Sequence, residues 1–298
     1  MGKILLYLKR RIRLWVQLGV SALTNGYASG FVGGKIFTGP SKAYCVPGLN
    51  CYSCPGALGS CPIGALQAVL GSRDYRFAFY VTGFFMVVGA VLGRFVCGWL
   101  CPFGLVQDLL YKIPFVKKLK KLPGDRWLKW LKYAVLIGFV ILLPLFVLDV
   151  IGQGSPGFCK YICPSGTLGA GIPLLLANPS LREAAGWLFA WKGLLLAVLI
   201  VLSILVYRPF CRYLCPLGAI YGIFNPIAFY QIRVDKEKCT SCGACRRACK
   251  LDIPVWKRPN SPECIRCGDC GKACSSGALC AGFQQGKNRE VRQKEGTV

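Results

Sequence analysis

Histidine is absent from all 298 residues. That absence excludes His-ligated haem, Rieske clusters, His-bearing zinc sites and a His/Asp proton relay. No G-x-G-x-x-G or Walker loop occurs, so the chain shows no nucleotide-site fingerprint. Charge is scarce too: 16% of residues are charged, against about a quarter in soluble domains. Acids are the scarcer sign, with 12 Asp and Glu against 37 Lys and Arg. The resulting charge of +25 does not point to nucleic acid, because the cations cluster beside apolar spans where membrane topology explains them.

What the chain has is apolar residues, 54% of the total with a mean hydropathy of +0.47, and they come in blocks. Four stretches reach the roughly 20 residues a membrane helix needs: 14–34, 77–96, 131–151 and 186–207. The expected fold is an α-helical membrane protein with four transmembrane helices. The first stretch is interrupted by Thr24, Asn25, Gly26 and Ser29. No small-residue cleavage site follows it, and it reads as a retained anchor. A fifth apolar segment, 168–177, is too short to span and carries Pro173, which suits a re-entrant or interfacial position. Cations concentrate at Lys3, Lys9, Arg10, Arg11 and Arg13, and again at Lys112, Lys117, Lys118, Lys120, Lys121, Arg126 and Lys129. The positive-inside rule sets these, and everything after Tyr207, in the cytoplasm of a prokaryote, with membrane lipid as the first partner. Asp149 reads as an interfacial residue, and 284–298 as a basic disordered tail.

Nineteen cysteines carry the chemistry. Two runs near the C-terminus, Cys239/Cys242/Cys245/Cys249 and Cys264/Cys267/Cys270/Cys274, each show the C-x2-C-x2-C-x3-C spacing. In small ferredoxins that spacing wraps three cysteines around one [4Fe–4S] cluster and sends the fourth to the other. The crossed assignment sets Cys239, Cys242, Cys245 and Cys274 on one cluster, and Cys264, Cys267, Cys270 and Cys249 on the second. A pair of zinc knuckles is the alternative, but four cysteines within eleven residues fit it poorly. Lys250 and Ser275 stand where a proline commonly follows the fourth cysteine.

Within the apolar part, Cys-Pro-x-Gly recurs at Cys61, Cys101, Cys163 and Cys215. Three copies have a cysteine four residues earlier, giving Cys97/Cys101, Cys159/Cys163 and Cys211/Cys215; the first and third lie 114 residues apart. This reads as a duplicated two-span unit in a membrane domain over 1–228, followed by a bacterial 2[4Fe-4S] ferredoxin-like α+β module over 229–283. Cysteines at i and i+4 share one helix face, and the proline ends that helix. Phe95, Trp99, Phe210 and Tyr213 are candidates to wall the site. Topology sorts the pairs: Cys97, Cys101, Cys211 and Cys215 fall on the cytoplasmic face as one four-thiolate set. Cys51, Cys54, Cys159 and Cys163 are the leading outer set, with Cys45 and Cys61 as alternates and disulfides as the rival reading. One or two Fe–S clusters beyond the ferredoxin pair are therefore expected, and no haem.

Together the two cytoplasmic Cys-x3-Cys-Pro elements, the four spans and the double-cluster module make the chain resemble the NapH-like family of membrane iron–sulfur proteins. That family also includes the membrane portion of NosR-type proteins. The resemblance runs from Arg10 to about Phe283, and this sequence departs from the pattern in its outer cysteines. It implies electron transfer between a quinol pool or a low-potential cytoplasmic carrier and an extracytoplasmic redox protein, inside a larger complex. Three functions remain open at this point: a transmembrane electron conduit, a quinol dehydrogenase subunit, and a reductase or assembly factor for another metalloprotein.

Overall fold

Proline sets where many of the helices begin. Pro62, Pro102, Pro164, Pro179, Pro209 and Pro216 are each the first residue of a helix. The ring presets φ for the first turn and removes an N–H that would have no partner there. The computed structural model describes residues 12–72, 75–114, 118–148, 152–183 and 185–283. Lys3, Lys9, Arg10, Arg11, Lys117, Asp149 and the 284–298 tail lie outside the described residues. The helices are α1 (Ile12–Thr24), α2 (Ala28–Gly33), α3 (Pro62–Ser72), α4 (Tyr75–Leu92), α5 (Phe95–Trp99) and α6 (Pro102–Tyr111). Then come α7 (Asp125–Phe146), α8 (Gly157–Tyr161), α9 (Pro164–Ala177) and α10 (Pro179–Glu183). Last are α11 (Trp187–Leu205), α12 (Pro209–Tyr213) and α13 (Pro216–Phe224).

By length and composition, α7 and α11 are long and apolar enough to cross a membrane. The 77–96 expectation corresponds to α4, with 18 residues and a rise of about 27 Å. The continuous helix expected at 14–34 is instead two helices. Thr24 Oγ1 donates to the Val20 carbonyl at 2.8 Å, Asn25 Nδ2 donates to the Ser21 carbonyl at 3.1 Å, and α1 stops there. Side chains that compete for helix carbonyls, followed by glycine, break the run. The exposed backbone of the break is satisfied by a later loop: Tyr27 N–H donates to Gly56 O at 3.2 Å and Leu58 N–H to Thr24 O at 2.9 Å.

Helices α7 and α9 each contain a π-helical turn, Leu136–Leu142 and Thr167–Gly171, just ahead of Pro144 and Pro173. A proline removes one ladder bond, and the wider turn absorbs the defect. The expected 168–177 segment is thus part of a longer helix. A further pattern emerges from element order. The series α4–α5–α6, α7–α8–α9 and α11–α12–α13 follow one plan: a long helix, a five-residue helix, a Cys-Pro break and another helix. The 114-residue offset relates the first and third of three copies.

The C-terminal segment is α+β. Strands β1 (Tyr230–Val234) and β2 (Leu279–Phe283) pair antiparallel, with Tyr230 opposite Phe283 and Val234 opposite Leu279. Between them lie α14 (Ala244–Ala248) and α15 (Asp269–Lys272). Cys280 faces Arg233 in the ladder and is exposed.

Candidate metal centres

Each Cys-x3-Cys-Pro element is a helix, a break and a second helix. Cys97, Cys159 and Cys211 take the third position of α5, α8 and α12. Cys101, Cys163 and Cys215 are extended, with ψ of 119°, 108° and 113°. Their N–H groups reach back five residues, to the carbonyls of Val96 (3.1 Å), Phe158 (2.9 Å) and Phe210 (2.9 Å). The expectation that both cysteines share one helix face is therefore corrected. The residue before a proline is pushed out of the helical region, so the second sulfur leaves the first helix.

The glycine of Cys-Pro-x-Gly completes the turn. Gly218 N–H donates to Cys215 Sγ at 3.4 Å. The N–H groups of Gly64, Gly104 and Gly166 lie near the sulfurs of Cys61, Cys101 and Cys163 in the same way. Cys215 thereby caps the helix that follows, and Cys101 and Cys163 hold the same N-cap position, with the sulfur at the positive end of the helix.

At the first site Cys97, Cys101, Cys211 and Cys215 are buried and within electrostatic reach of one another. Two arginines lock this meeting reciprocally. Arg94, three residues before Cys97, donates Nη2 to the Cys211 carbonyl at 2.9 Å. Arg208, three residues before Cys211, donates Nη1 to the Cys97 carbonyl. A side chain at either motif glycine would press on this clamp: a Cβ on Gly104 would stand 3.2 Å from Arg208 Nη1, and one on Gly218 3.2 Å from Arg94 Nη2. Arg208 is balanced by Asp108 (Nε to Oδ1, 2.7 Å), which also pairs with Arg13. The expected aromatic wall is only partly there. Phe210 is fully buried against Phe103, but Phe95 and Trp99 stack on each other and turn toward Tyr230 and Arg266, while Tyr213 donates to Asp125.

The second site gathers Cys51, Cys61, Cys159 and Cys163: Cys163 is within electrostatic reach of the other three. Cys54 is near Cys51, but its sulfur faces Asn25 Oδ1 at 3.7 Å and the space beside Gly169. A cavity of about 880 Å³ is lined by Cys45, Cys51, Cys61, Cys159 and Cys163, together with Lys42 and Lys192. None of the nineteen cysteines is joined in a disulfide. The two sites are close because the 45–61 loop folds inward. The Leu49 N–H lies by Cys101 Sγ, and a Cβ on Gly48 would stand 2.9 Å from the Cys101 Cα. Tyr221, on α13, donates its hydroxyl to the Pro47 carbonyl at 3.1 Å.

The C-terminal segment holds two more groups. Cys239, Cys242, Cys245 and Cys274 line one small cavity with Trp256. Cys264 is within electrostatic reach of Cys267, Cys270 and Cys249. The two loops share a backbone. Ser241 and Arg266 have φ of 52° and 53°, and Gly243 and Gly268 have φ of 71° and 84°. Such left-handed turns point successive N–H groups inward, a concavity suited to an anion. The Ala244 N–H and Thr240 hydroxyl lower the Cys242 pKa, as the Ser276 hydroxyl lowers that of Cys274. Burial pushes Cys264 up to about 12, so a thiolate there needs a cation beside it.

This segment docks on the helices through the Cys264 lobe. Trp99 Nε1 donates to the Arg266 carbonyl at 3.0 Å, and Arg266 donates to the carbonyls of Leu92 (2.8 Å) and Asn225 (2.6 Å). Glu263 pairs with Arg94 at 3.0 Å and with Lys132. Asp252, held at about 2 by Arg246 and Lys121, ties the segment to the loop before α7. Gly98 lies so close under the Ile265 carbonyl that a Cβ there would collide with it. Gly98→Ala is therefore expected to force this interface apart. Protease cleavage between 224 and 230 should become several-fold faster than in the unaltered chain, whereas Gly83→Ala, with open space around its Cβ, should leave it unchanged.

Among the described residues, no three Cys, Asp or Glu side chains converge tightly enough to grip a single metal ion. The donor sets suit a cluster instead: four soft sulfurs, each for a different iron, with backbone and amide N–H groups aimed at the sulfur. The arginine clamp, Asp108, Glu263 and the buried Gln67 and Gln107 escaped sequence reasoning. Their one advance signal was spacing, with Arg at three before Cys97 and Cys211 and Gln at six after Cys61 and Cys101.

A family model described as a 4Fe-4S binding domain matches the chain three times, at residues 77–123, 131–176 and 187–233. A second model of the same description matches residues 232–254. Two uncharacterized proteins of Methanocaldococcus jannaschii are each 32% identical. One match covers 65% of this chain and 66% of the relative, the other 60% and 67%. The ferredoxin-type protein NapH of Haemophilus influenzae is 28% identical over 54% of this chain and 49% of its own length. The chain thus spans about two thirds of the first two relatives and about half of the third. No solved structure matches it.

Proposed function

Because the chain belongs to the family of ferredoxin-type 4Fe-4S proteins that includes NapH, we propose that it conducts electrons across a prokaryotic cytoplasmic membrane through four clusters. When bound, each cluster supplies one-electron transfer. The ligand sets are Cys239, Cys242, Cys245 and Cys274; Cys249, Cys264, Cys267 and Cys270; Cys97, Cys101, Cys211 and Cys215; and Cys51, Cys61, Cys159 and Cys163. Cys61 enters the last set in preference to Cys54 because it lies beside Cys163 and Cys159, whereas the Cys54 sulfur faces Asn25. A membrane domain over 1–228 crosses four times, through α1 with α2, then α4, α7 and α11, with both termini cytoplasmic. Trp127 and Trp130 begin α7, Trp187 and Trp191 begin α11, and all four are exposed, as an aromatic belt at two interfaces requires.

The observation that carries this reading is the inward loop. Leu49 touches the Cys101 sulfur, and Cys51 is two residues further on, a reach of at most about 7 Å. A hydrocarbon core about 30 Å thick is too wide for one efficient hop, and the loop brings the second site to the first. On the other side, Ile265 lies on Gly98, one residue from Cys97. Exposed Cys242 and its neighbour Cys274 offer the entry for a cytoplasmic carrier, and an extracytoplasmic redox protein takes the electron, within a larger complex.

The test is a full chain in sealed vesicles, reduced from the C-terminal side by an impermeant donor, with an acceptor outside. Cys163→Ser is expected to abolish reduction of the outer acceptor while the C-terminal signals stay reducible; Cys54→Ser is expected to retain it. Full transfer in Cys163→Ser would sink the conduit.

A further inference from the structure

Two buried glutamines aim at sulfur. Gln67 and Gln107 are 0% and 1% exposed, and each stands six residues after the cysteine of a Cys-Pro-x-Gly turn. Gln67 Nε2 donates to Cys159 Sγ at 3.2 Å and to the Ile63 carbonyl at 3.2 Å. Gln107 Nε2 donates to Cys211 Sγ at 3.0 Å and to the Phe103 carbonyl at 3.4 Å. In both cases the amide crosses from one turn to the first cysteine of the opposing pair. The same position in the other two turns is Gly169 and Tyr221. Gly169 leaves space that the Cys54 sulfur borders at 3.7 Å, and Tyr221 spends its hydroxyl on Pro47. Each membrane site therefore receives one side-chain amide.

Burying a primary amide in an apolar bundle is costly unless its hydrogens find good acceptors. A neutral thiol is a weak acceptor, whereas a thiolate is a strong one. Gln107 Oε1 has no partner among the described residues, so this side chain is held for its donor end. We propose that Gln107 and Gln67 are positioning residues that separately raise the reduction potentials of the first and second membrane sites. The proposal rests on the reading that these cysteines hold iron–sulfur clusters. Reduction adds negative charge to a site, and an N–H···S bond is stronger to the more negative state. The bond therefore favours the reduced form, and removing it lowers the potential.

The test is an EPR-monitored redox titration of anaerobically purified full chain, with iron and sulfide counted in every sample. Gln107→Met keeps the volume and loses the donor. It is expected to retain its iron while one signal becomes about tenfold harder to reduce, which is about 59 mV lower for one electron. Gln67→Met should shift a different signal by a similar amount, and the double variant should show both shifts. Retained iron with unshifted potentials would overturn the proposal. An unaltered chain holding only about eight irons would instead overturn the cluster reading beneath it. If the variants fail to fold, glutamine-specific 15N labelling of the unaltered chain decides. Weak 15N coupling at two reduced signals is expected, and its absence from both refutes the inference.

Discussion

Glu263→Ala is expected to detach the C-terminal segment from the helices. The substitution leaves Arg94 and Lys132, 1% and 0% exposed in their side chains, buried without a counter-charge. Breaking one partner out of a buried ion pair costs about 3–5 kcal/mol. Burial alone would raise the Glu263 carboxyl, yet Arg94 and Lys132 hold it below the ordinary carboxylate range. The anion is thus the form that docks. The loss has a second consequence, because the same Arg94 guanidinium grips the Cys211 carbonyl. We expect the Cys264 lobe to keep its iron while reduction of the membrane sites from the C-terminal side falls by at least two orders of magnitude, a factor on the order of the docking loss. Stopped-flow reduction with an impermeant donor measures it. A variant that transfers at the unaltered rate would remove Glu263 from the interface.

Cys101→Ser is expected to have the larger effect on composition. Four sulfur sets imply about sixteen irons per chain, and this variant should hold about twelve, with one EPR signal missing and no electrons passing to the outer site. The comparison with Cys280→Ser is the control, since Cys280 is exposed on β2 and joins none of the four groups. An unchanged iron count in Cys101→Ser would exclude Cys97, Cys101, Cys211 and Cys215 as a ligand set.

The four groups were legible to different depths. Cys239 to Cys274 could be sorted into crossed sets from spacing alone, because spacing there is local and the loops are short. The pairing of Cys97/Cys101 with Cys211/Cys215 followed from topology and repetition. The group of Cys51, Cys61, Cys159 and Cys163 was not legible in the same way. Six cysteines compete there, and the choice turns on how the 45–61 loop doubles back, which no periodicity encodes. Pattern reasoning about i and i+4 also misjudged the turns, since Pro102, Pro164 and Pro216 act on the residue before them. Thr24 and Asn25 were visible as interruptions, but their effect depended on Gly56 and Leu58 being near enough to satisfy the broken backbone. Gln67 and Gln107 carried no advance weight because a buried amide declares its purpose only when its partner is known.

The reciprocal arginine clamp also fixes an order of events during synthesis. Cys97 leaves the ribosome 114 residues before Cys211, and Cys101 the same distance before Cys215, an interval of roughly 6–23 s at common elongation rates. Throughout that interval Arg94 has neither the Cys211 carbonyl nor Glu263 to hold, and half of the site stands open. On the cluster reading proposed above, a scaffold delivering iron and sulfide acts only after α11 and α12 have been made, and the nascent half-site is kept reduced until then.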